Sequence, residues 1–338
     1  MAAPFTALAQ SDDPKLHAVA NMFDPKSKPA LMIHEVSLLV LLICTIIFVI
    51  VTSLLIYTVL KFRRRPGDND EEPPQVYGST QIELAWTVLP ILITIVLVLV
   101  TARTIADIQN ARLPESALTI KVIGHQWWWE VHYLDAEGQT EFIVANEIHI
   151  PLSTDENPRP TRVLLESADV IHSFWVPQLN GKTDLVPNRR NELWLEPSET
   201  GLFLGNCAEY CGTQHANMLL RVFVDEPDDY QAWARNQAAP PVEDPAVALG
   251  RQTFASNACI NCHIVDGSLT EIVFGPDLTK LATRTTIAGG SLPNDRQTLV
   301  DWIKDPQSPH MKPGSLMPAM KLVDSDIDHI VDYLETLK

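Results

Sequence analysis

The stretch Cys207-Ala-Glu-Tyr-Cys211-Gly-Thr-Gln-His215-Ala-Asn-Met218 sets two thiols, an imidazole and a thioether within a few turns of chain. Zinc uses cysteine and histidine but gains little from a thioether, whereas methionine beside cysteine suits copper. A disulfide between Cys207 and Cys211 is the structural alternative in an oxidising compartment. Upstream, His172 in His-Ser-Phe-Trp-Val-Pro ends a strand-like run and offers a second imidazole. The runs Leu118–Val122, Glu141–Ala145 and Arg162–Glu166, with Asp135-Ala-Glu-Gly138 as a turn, predict short strands. Residues 114–226 are therefore expected to form an all-β sandwich or barrel carrying these ligands.

Toward the N-terminus the composition changes. Val36 to Leu60 carries no charge and exceeds the roughly 20 apolar residues that cross a hydrocarbon core. A second uncharged run, Leu84 to Ala102, lies between Glu83 and Arg103 and contains Pro90, which predicts a kink. Residues 34–105 thus read as a transmembrane helical hairpin. Lys61, Arg63, Arg64 and Arg65 follow the first span, which places the connecting loop in the cytoplasm and both termini outside. Lys15, Lys26 and Lys28 precede that span and weaken the asymmetry. Residues 1–30 lack the basic start and compact apolar stretch of a cleaved leader, so no cleavage is expected and 1–33 is read as an extracytoplasmic segment.

Toward the C-terminus, residues 227–246 are rich in proline, alanine and acid and are expected to be a linker. Cys259-Ile-Asn-Cys262-His263 follows, the attachment pattern of c-type haem: two thioethers hold the porphyrin and the adjacent imidazole takes the iron. Zinc and redox proteins share the bare pattern. Its surroundings add weight, because Gly250 and Phe254 sit on a helical stretch before it and Gly275-Pro276 can present a carbonyl to the histidine. An amphipathic helix over Asp324–Leu337 bears Tyr333 and Leu334. Residues 247–338 form the last expected domain.

At 338 residues the chain has room for two or three units. Charge is concentrated in the middle, where residues 114–245 hold 8 Lys and Arg against 21 Asp and Glu. That balance argues against nucleic acid and for basic or neutral protein partners.

Taken together, residues 30–225 resemble subunit II of cytochrome c oxidases. The resemblance rests on Glu83-x-x-Trp86-Thr87-x-x-Pro90, Gly124-His125-Gln126-Trp127-Trp128-Trp129, His172-Ser-Phe-Trp-Val-Pro and the Cys207–Met218 loop. It implies a Greek-key cupredoxin domain with a dinuclear CuA centre. Cys207 and Cys211 would bridge two coppers, His172 and Met218 completing one and His215 with the Glu209 carbonyl the other. The Glu209 carboxylate would reach a magnesium ion at the boundary with the catalytic subunit, Trp127 would receive electrons, and Glu83 would stand at the mouth of a proton channel. Residues 246–338 resemble the all-α class I cytochrome c fold, which implies Met317 as sixth ligand to the iron, with Met320 and Met311 as fallbacks. Asn180 and Asn188 replace usual glycines; asparagine tolerates left-handed backbone, so both turns are expected to survive.

The whole pattern is that of a caa3-type subunit in a bacterial cell membrane. It implies a lipid-embedded anchor and a proton-pumping catalytic subunit as partner. A cytochrome c or a respiratory complex would be the donor, and both redox domains would lie outside. Oxygen chemistry is not expected on this chain, which lacks a multi-helix, multi-histidine core. The electron-input subunit of a CuA-type nitric oxide reductase is the alternative from another enzyme class. A membrane copper-delivery or redox-sensing protein is the alternative outside enzymes.

Overall fold

Alternation of buried and exposed residues organises the β-domain. Along β1 (Leu118–His125), Ile120, Val122 and Gly124 face inward while their neighbours lie nearer solvent; β10 (Leu219–Asp225) repeats this with Leu220, Val222 and Val224. Such period-two burial is what a sheet with one face on a core requires. The computed structural model of the chain describes residues 20–67, 72, 74–75, 77–242, 244–269 and 274–338. Lys15, and with it the expectation of an unprocessed N-terminus, lies outside those residues.

Among the described residues the β-domain has two five-stranded sheets. The first runs β3 (Thr140–Ala145), β2 (Trp128–Leu134), β1, β5 (Thr161–Ser167) and β8 (Asn191–Leu195). The second runs β4 (Glu147–Pro151), β10, β9 (Gly201–Cys207), β6 (His172–Trp175) and β7 (Thr183–Leu185). β1 pairs parallel with β5 and β10 with β4; the other pairs are antiparallel. Ile120, Trp129, Val163, Leu179 and Met218, all fully buried, share one core between the layers. This is the expected cupredoxin arrangement. The turn over 135–138 closes as anticipated, with Gly138 at φ +79° and its N–H donating to Asp135 O at 3.1 Å.

Asn188 does adopt left-handed backbone, at φ +60°. Asn180 does not; its turn is held by its side chain, whose buried amide donates to Trp194 O at 2.7 Å and whose Oδ1 accepts from Gly181 N.

The expected linker contains a helix, α3 (Pro227–Ala238). Pro227 sits at its first position, where a missing N–H is harmless, and Asp228 and Asp229 favour its positive end. Tyr230, Trp233 and Ala234 lie on one face and pack on the β-core. The ring of Trp233 stacks on His149 at 4.3 Å between centroids.

Beyond it, α4 (Ala248–Ser256), α5 (Arg296–Lys304) and α6 (Asp324–Leu334) enclose a second apolar core. Phe254 meets Tyr333 edge-on at 5.9 Å. A Cβ on Gly250 would lie 2.0 Å from His329 O, so the α4–α6 crossing needs a bare backbone there.

The chain divides into two compact units, 31–112 and the remainder. The first holds most of α1 (Lys28–Phe62), and α2 (Thr80–Gln109), which runs through Pro90. No side chain of α2 is buried, and leucine, isoleucine and valine face outward all round. An all-apolar exposed helix is at home in lipid. Before Leu31 the chain belongs with the second unit: Lys26 N donates to Gln178 O at 2.8 Å and Lys28 N to Glu196 O at 3.2 Å.

Candidate functional site

β9 ends at Cys207 and β10 begins at Leu219, so the intervening loop folds over one end of the sheets. Cys207 and Cys211 are buried free thiols with sulfurs 3.8 Å apart. A disulfide would require about 2.05 Å. Around the pair, the Glu209 carbonyl lies 3.2 Å from Cys207 Sγ, and His172 Nδ1 3.9 Å from it. His215 Nδ1 lies 3.6 Å and the fully buried Met218 Sδ 3.9 Å from Cys211 Sγ. The six positions singled out from sequence thus converge on one spot. Two thiols and a thioether are soft donors, and imidazole also suits copper, so the set fits a copper site.

Hydrogen bonding between the two thiols brings Cys207 far down, to about 3, and pushes Cys211 up. Burial opposes charge on His172, but hydrogen bonds with Asp169 and Cys207 outweigh it and raise the pKa. Asp169 Oδ1 holds His172 Nε2 at 2.7 Å, which leaves Nδ1 facing the sulfurs. Sequence reasoning passed over Asp169, although its place three residues before the histidine is a usable signal. Gly124 has a role as well: a Cβ there would come within 2.7 Å of the His172 ring.

The Glu209 carboxylate points elsewhere, half-exposed and 3.6 Å from Lys182 Nζ. Glu83 lies in the first turn of α2, in the other unit.

A cavity of about 370 Å³ opens in the α4–α6 region, lined by Cys259, Cys262, His263 and Met317. Met320 also lines it; Met311 is not among the lining residues. The walls are mainly apolar, with Phe254, Leu299 and Leu334 among them. His263 Nδ1 donates to Pro276 O at 2.8 Å, which leaves Nε2 free to act as a ligand. Burial lowers the pKa of His263 and favours the neutral, ligating imidazole. A Cβ on Gly275 would sit 2.5 Å from the His263 ring, so this approach also depends on glycine. Two thiols, a neutral imidazole and a thioether around an apolar cavity fit a covalently held haem.

The far wall of the cavity comes from the β-domain. Trp127 and Trp128 line it, and the Trp127 indole N–H donates to Cys211 O at 3.0 Å.

Family comparison agrees with this geometry. Residues 16–103 match the transmembrane domain of cytochrome c oxidase subunit II, residues 118–224 its periplasmic domain, and residues 247–338 cytochrome c. The chain belongs to the cytochrome c oxidase subunit II family. It is 38% identical over 325 residues to cytochrome c oxidase subunit 2 of Alkalihalophilus pseudofirmus, covering 93% of this chain and 90% of that one. Identity to the Bacillus subtilis protein of the same name is 32% over 302 residues, covering 83% and 82%. The crystal structure of the periplasmic domain of subunit II of cytochrome oxidase of Bradyrhizobium japonicum aligns at 33% identity. That alignment covers 37% of this chain and 96% of that one, with a TM-score of 0.33. As a subunit II the chain is an oxidoreductase subunit with two membrane-spanning helices. Its family implies copper, and its cytochrome c domain implies haem c.

Proposed function

We propose that this subunit II accepts electrons singly at the His263 cavity and passes them by way of the Cys207–Cys211 site to an oxygen-reducing catalytic subunit. The observation that carries this reading is Trp127. Its ring lines the cavity, and its N–H is bonded to the carbonyl of Cys211. The two sites are therefore linked by one side chain and one hydrogen bond.

In this reading Cys207, Cys211, His172, Met218, His215 and the Glu209 carbonyl would hold two coppers. Cys259 and Cys262 would anchor haem c, and His263 and Met317 would supply ligands to its iron. Bound there, these groups supply reversible one-electron chemistry. The protein supplies rigidity and dryness. Asp169 fixes the His172 tautomer, Pro276 fixes that of His263, and the two-layer sheet holds the sulfurs against movement. The Glu209 carboxylate, at the surface, is offered to a magnesium ion shared with the catalytic subunit, and Glu83 to a proton-channel mouth. The basic loop after α1 favours a cytoplasmic connection, with both redox domains outside the bacterial cell membrane. There a cytochrome c or a respiratory complex would be the donor.

Metal and haem content of the full chain in detergent, read with its electron paramagnetic resonance spectrum, tests the proposal. Two coppers sharing one unpaired electron and one covalent haem are expected. A copper-replete chain whose Cys207 and Cys211 are oxidised to each other would overturn it.

A further inference from the structure

The cytochrome part and the β-domain meet along a seam held by two buried charged side chains. Lys312 is 3% exposed. Its Nζ donates to Trp127 O at 2.8 Å and Asn217 O at 3.0 Å, both in the β-domain, and to Ala288 O at 2.8 Å in the cytochrome part. Three acceptors match the three N–H bonds of an ammonium group. Elsewhere on the seam the charge is reversed. Glu147 of β4, 5% exposed, accepts from Thr285 N at 3.0 Å and Thr285 Oγ1 at 2.7 Å. It also accepts from Thr286 N at 2.8 Å and Thr286 Oγ1 at 2.6 Å.

Backbone contacts support both. Leu219 N donates to Gly289 O at 2.9 Å, and Gln214 Nε2 donates to Pro313 O. At Gly289, φ is +71° and a Cβ would lie 2.5 Å from Lys312 Nζ and 2.6 Å from Trp127 O. The backbone is bare where the two surfaces come closest.

Buried charges add little net affinity, because desolvation offsets their attraction. They do penalise every other register, since a small slide would leave a buried charge without its partners. A lysine reading three carbonyls and a carboxylate reading two consecutive threonines define one position. Lys312 lines the cavity, but its N–H bonds all go to backbone carbonyls, and those Glu147 accepts come from Thr285 and Thr286, none of them a proposed metal or haem ligand.

We propose that Lys312 and Glu147 are positioning residues that lock the cytochrome part onto the Trp127 face in a single register. Electrons then cross a permanently docked seam and not a tethered encounter. This rests on the function proposed above, and it replaces the flexible-tether picture that a linker over 227–246 suggests. Each transfer would take one electron from the iron held beside His263 and give it to the copper pair; no bond is made or broken. Trp127, 9% exposed, is walled in by the seam, so an external donor must deliver to the haem side.

The test uses the full chain loaded with haem and copper. Burial lowers the Lys312 ammonium to about 7, so measurements are made at about pH 6, where the charged form predominates. A light-triggered reductant delivers one electron, and haem-to-copper transfer is timed in solutions of increasing viscosity. Amide exchange at Thr285 and Thr286 is followed in parallel. The wild type should transfer in one phase independent of viscosity, with both amides protected. Lys312→Leu and Glu147→Gln should each cut that protection about tenfold or more and introduce a slower, viscosity-dependent phase, with haem and copper spectra unchanged. A wild-type rate that falls with viscosity would sink the proposal, as would variants with wild-type transfer and equal protection. Should one variant fail to fold, the other and the wild-type viscosity series still decide. If the wild type binds no copper pair, the functional reading fails, while amide exchange still tests the docking.

Discussion

Cys207 and Cys211 act as a pair because each presents its sulfur to the other at 3.8 Å without bonding to it. On the proposed reading Cys207→Ser removes one of two donors shared by the coppers. Delocalised spin over two coppers should then vanish, while haem absorbance persists, since Cys259, Cys262 and His263 line a separate cavity; paramagnetic resonance and optical spectra check both halves. Met317→Ala should abolish the low-spin His/Met signature of the haem. Survival of that signature would pass the role to Met320, which shares the cavity. Glu130 provides a pH test. Burial raises its pKa, but hydrogen bonds with His125 and His132 overcome that and bring it down to about 2 from 4.5. A carboxylate depressed in the folded state stabilises fully above its unfolded pKa, and that stability is lost as pH falls through the folded value. The β-domain should therefore lose up to about 3 kcal/mol between about pH 5 and pH 2. Glu130→Gln should flatten that limb of an acid denaturation curve. The ligand loop was legible in the sequence because its donors lie within one local segment, where residue chemistry and spacing suffice. Lys312 and Glu147 were not. Their partners lie up to 185 and 139 residues away, and neither sits in a motif.

Among the elements, α3 shows how composition misleads. Proline, alanine and acid read as a linker, yet proline at the first helical position and aspartates in the first turn are also what a helix start prefers. The decisive signal was the apolar spacing of Tyr230, Trp233 and Ala234, which falls on one helical face. Trp233 packs by stacking on His149 and by edge contacts with Tyr133 at 5.3 Å and Phe142 at 5.7 Å. α3 also reaches the cytochrome part, where Gln237 Nε2 donates to Thr283 Oγ1 at 3.2 Å. Trp233→Ala should cost about 3 kcal/mol, read as a lower urea midpoint in the near-ultraviolet circular dichroism of the full chain. An unchanged midpoint would mean that α3 is the loose connector its composition suggests. The strands were easier to read, because alternation along β1 and β10 is imposed by the core. Their pairing was not, since parallel β1–β5 and β10–β4 contacts join segments whose order in space no local pattern records.

For the whole molecule, the membrane anchor was the most legible part, since lipid selects on composition and length and both uncharged runs fold as single helices. Orientation depends on finer balance. Lys61, Arg63, Arg64 and Arg65 cluster within five residues directly after the first apolar run, whereas Lys15, Lys26 and Lys28 are spread over fourteen positions before it. The denser cluster next to the span end should prevail and keep the connecting loop in the cytoplasm. If haem is attached outside the cytoplasm, as proposed, the same sidedness follows. Pro66→Cys and Glu137→Cys place one thiol in that loop and one in the exposed β-turn. In cells with the outer envelope removed, a membrane-impermeant maleimide should label the cysteine at 137 and spare that at 66. Inverted vesicles should give the opposite pattern, with the parent chain setting the background from Cys44. Labelling at 66 in the intact cells would reverse the anchor, strand the haem-binding cysteines in the cytoplasm, and remove the donor's access to the His263 cavity.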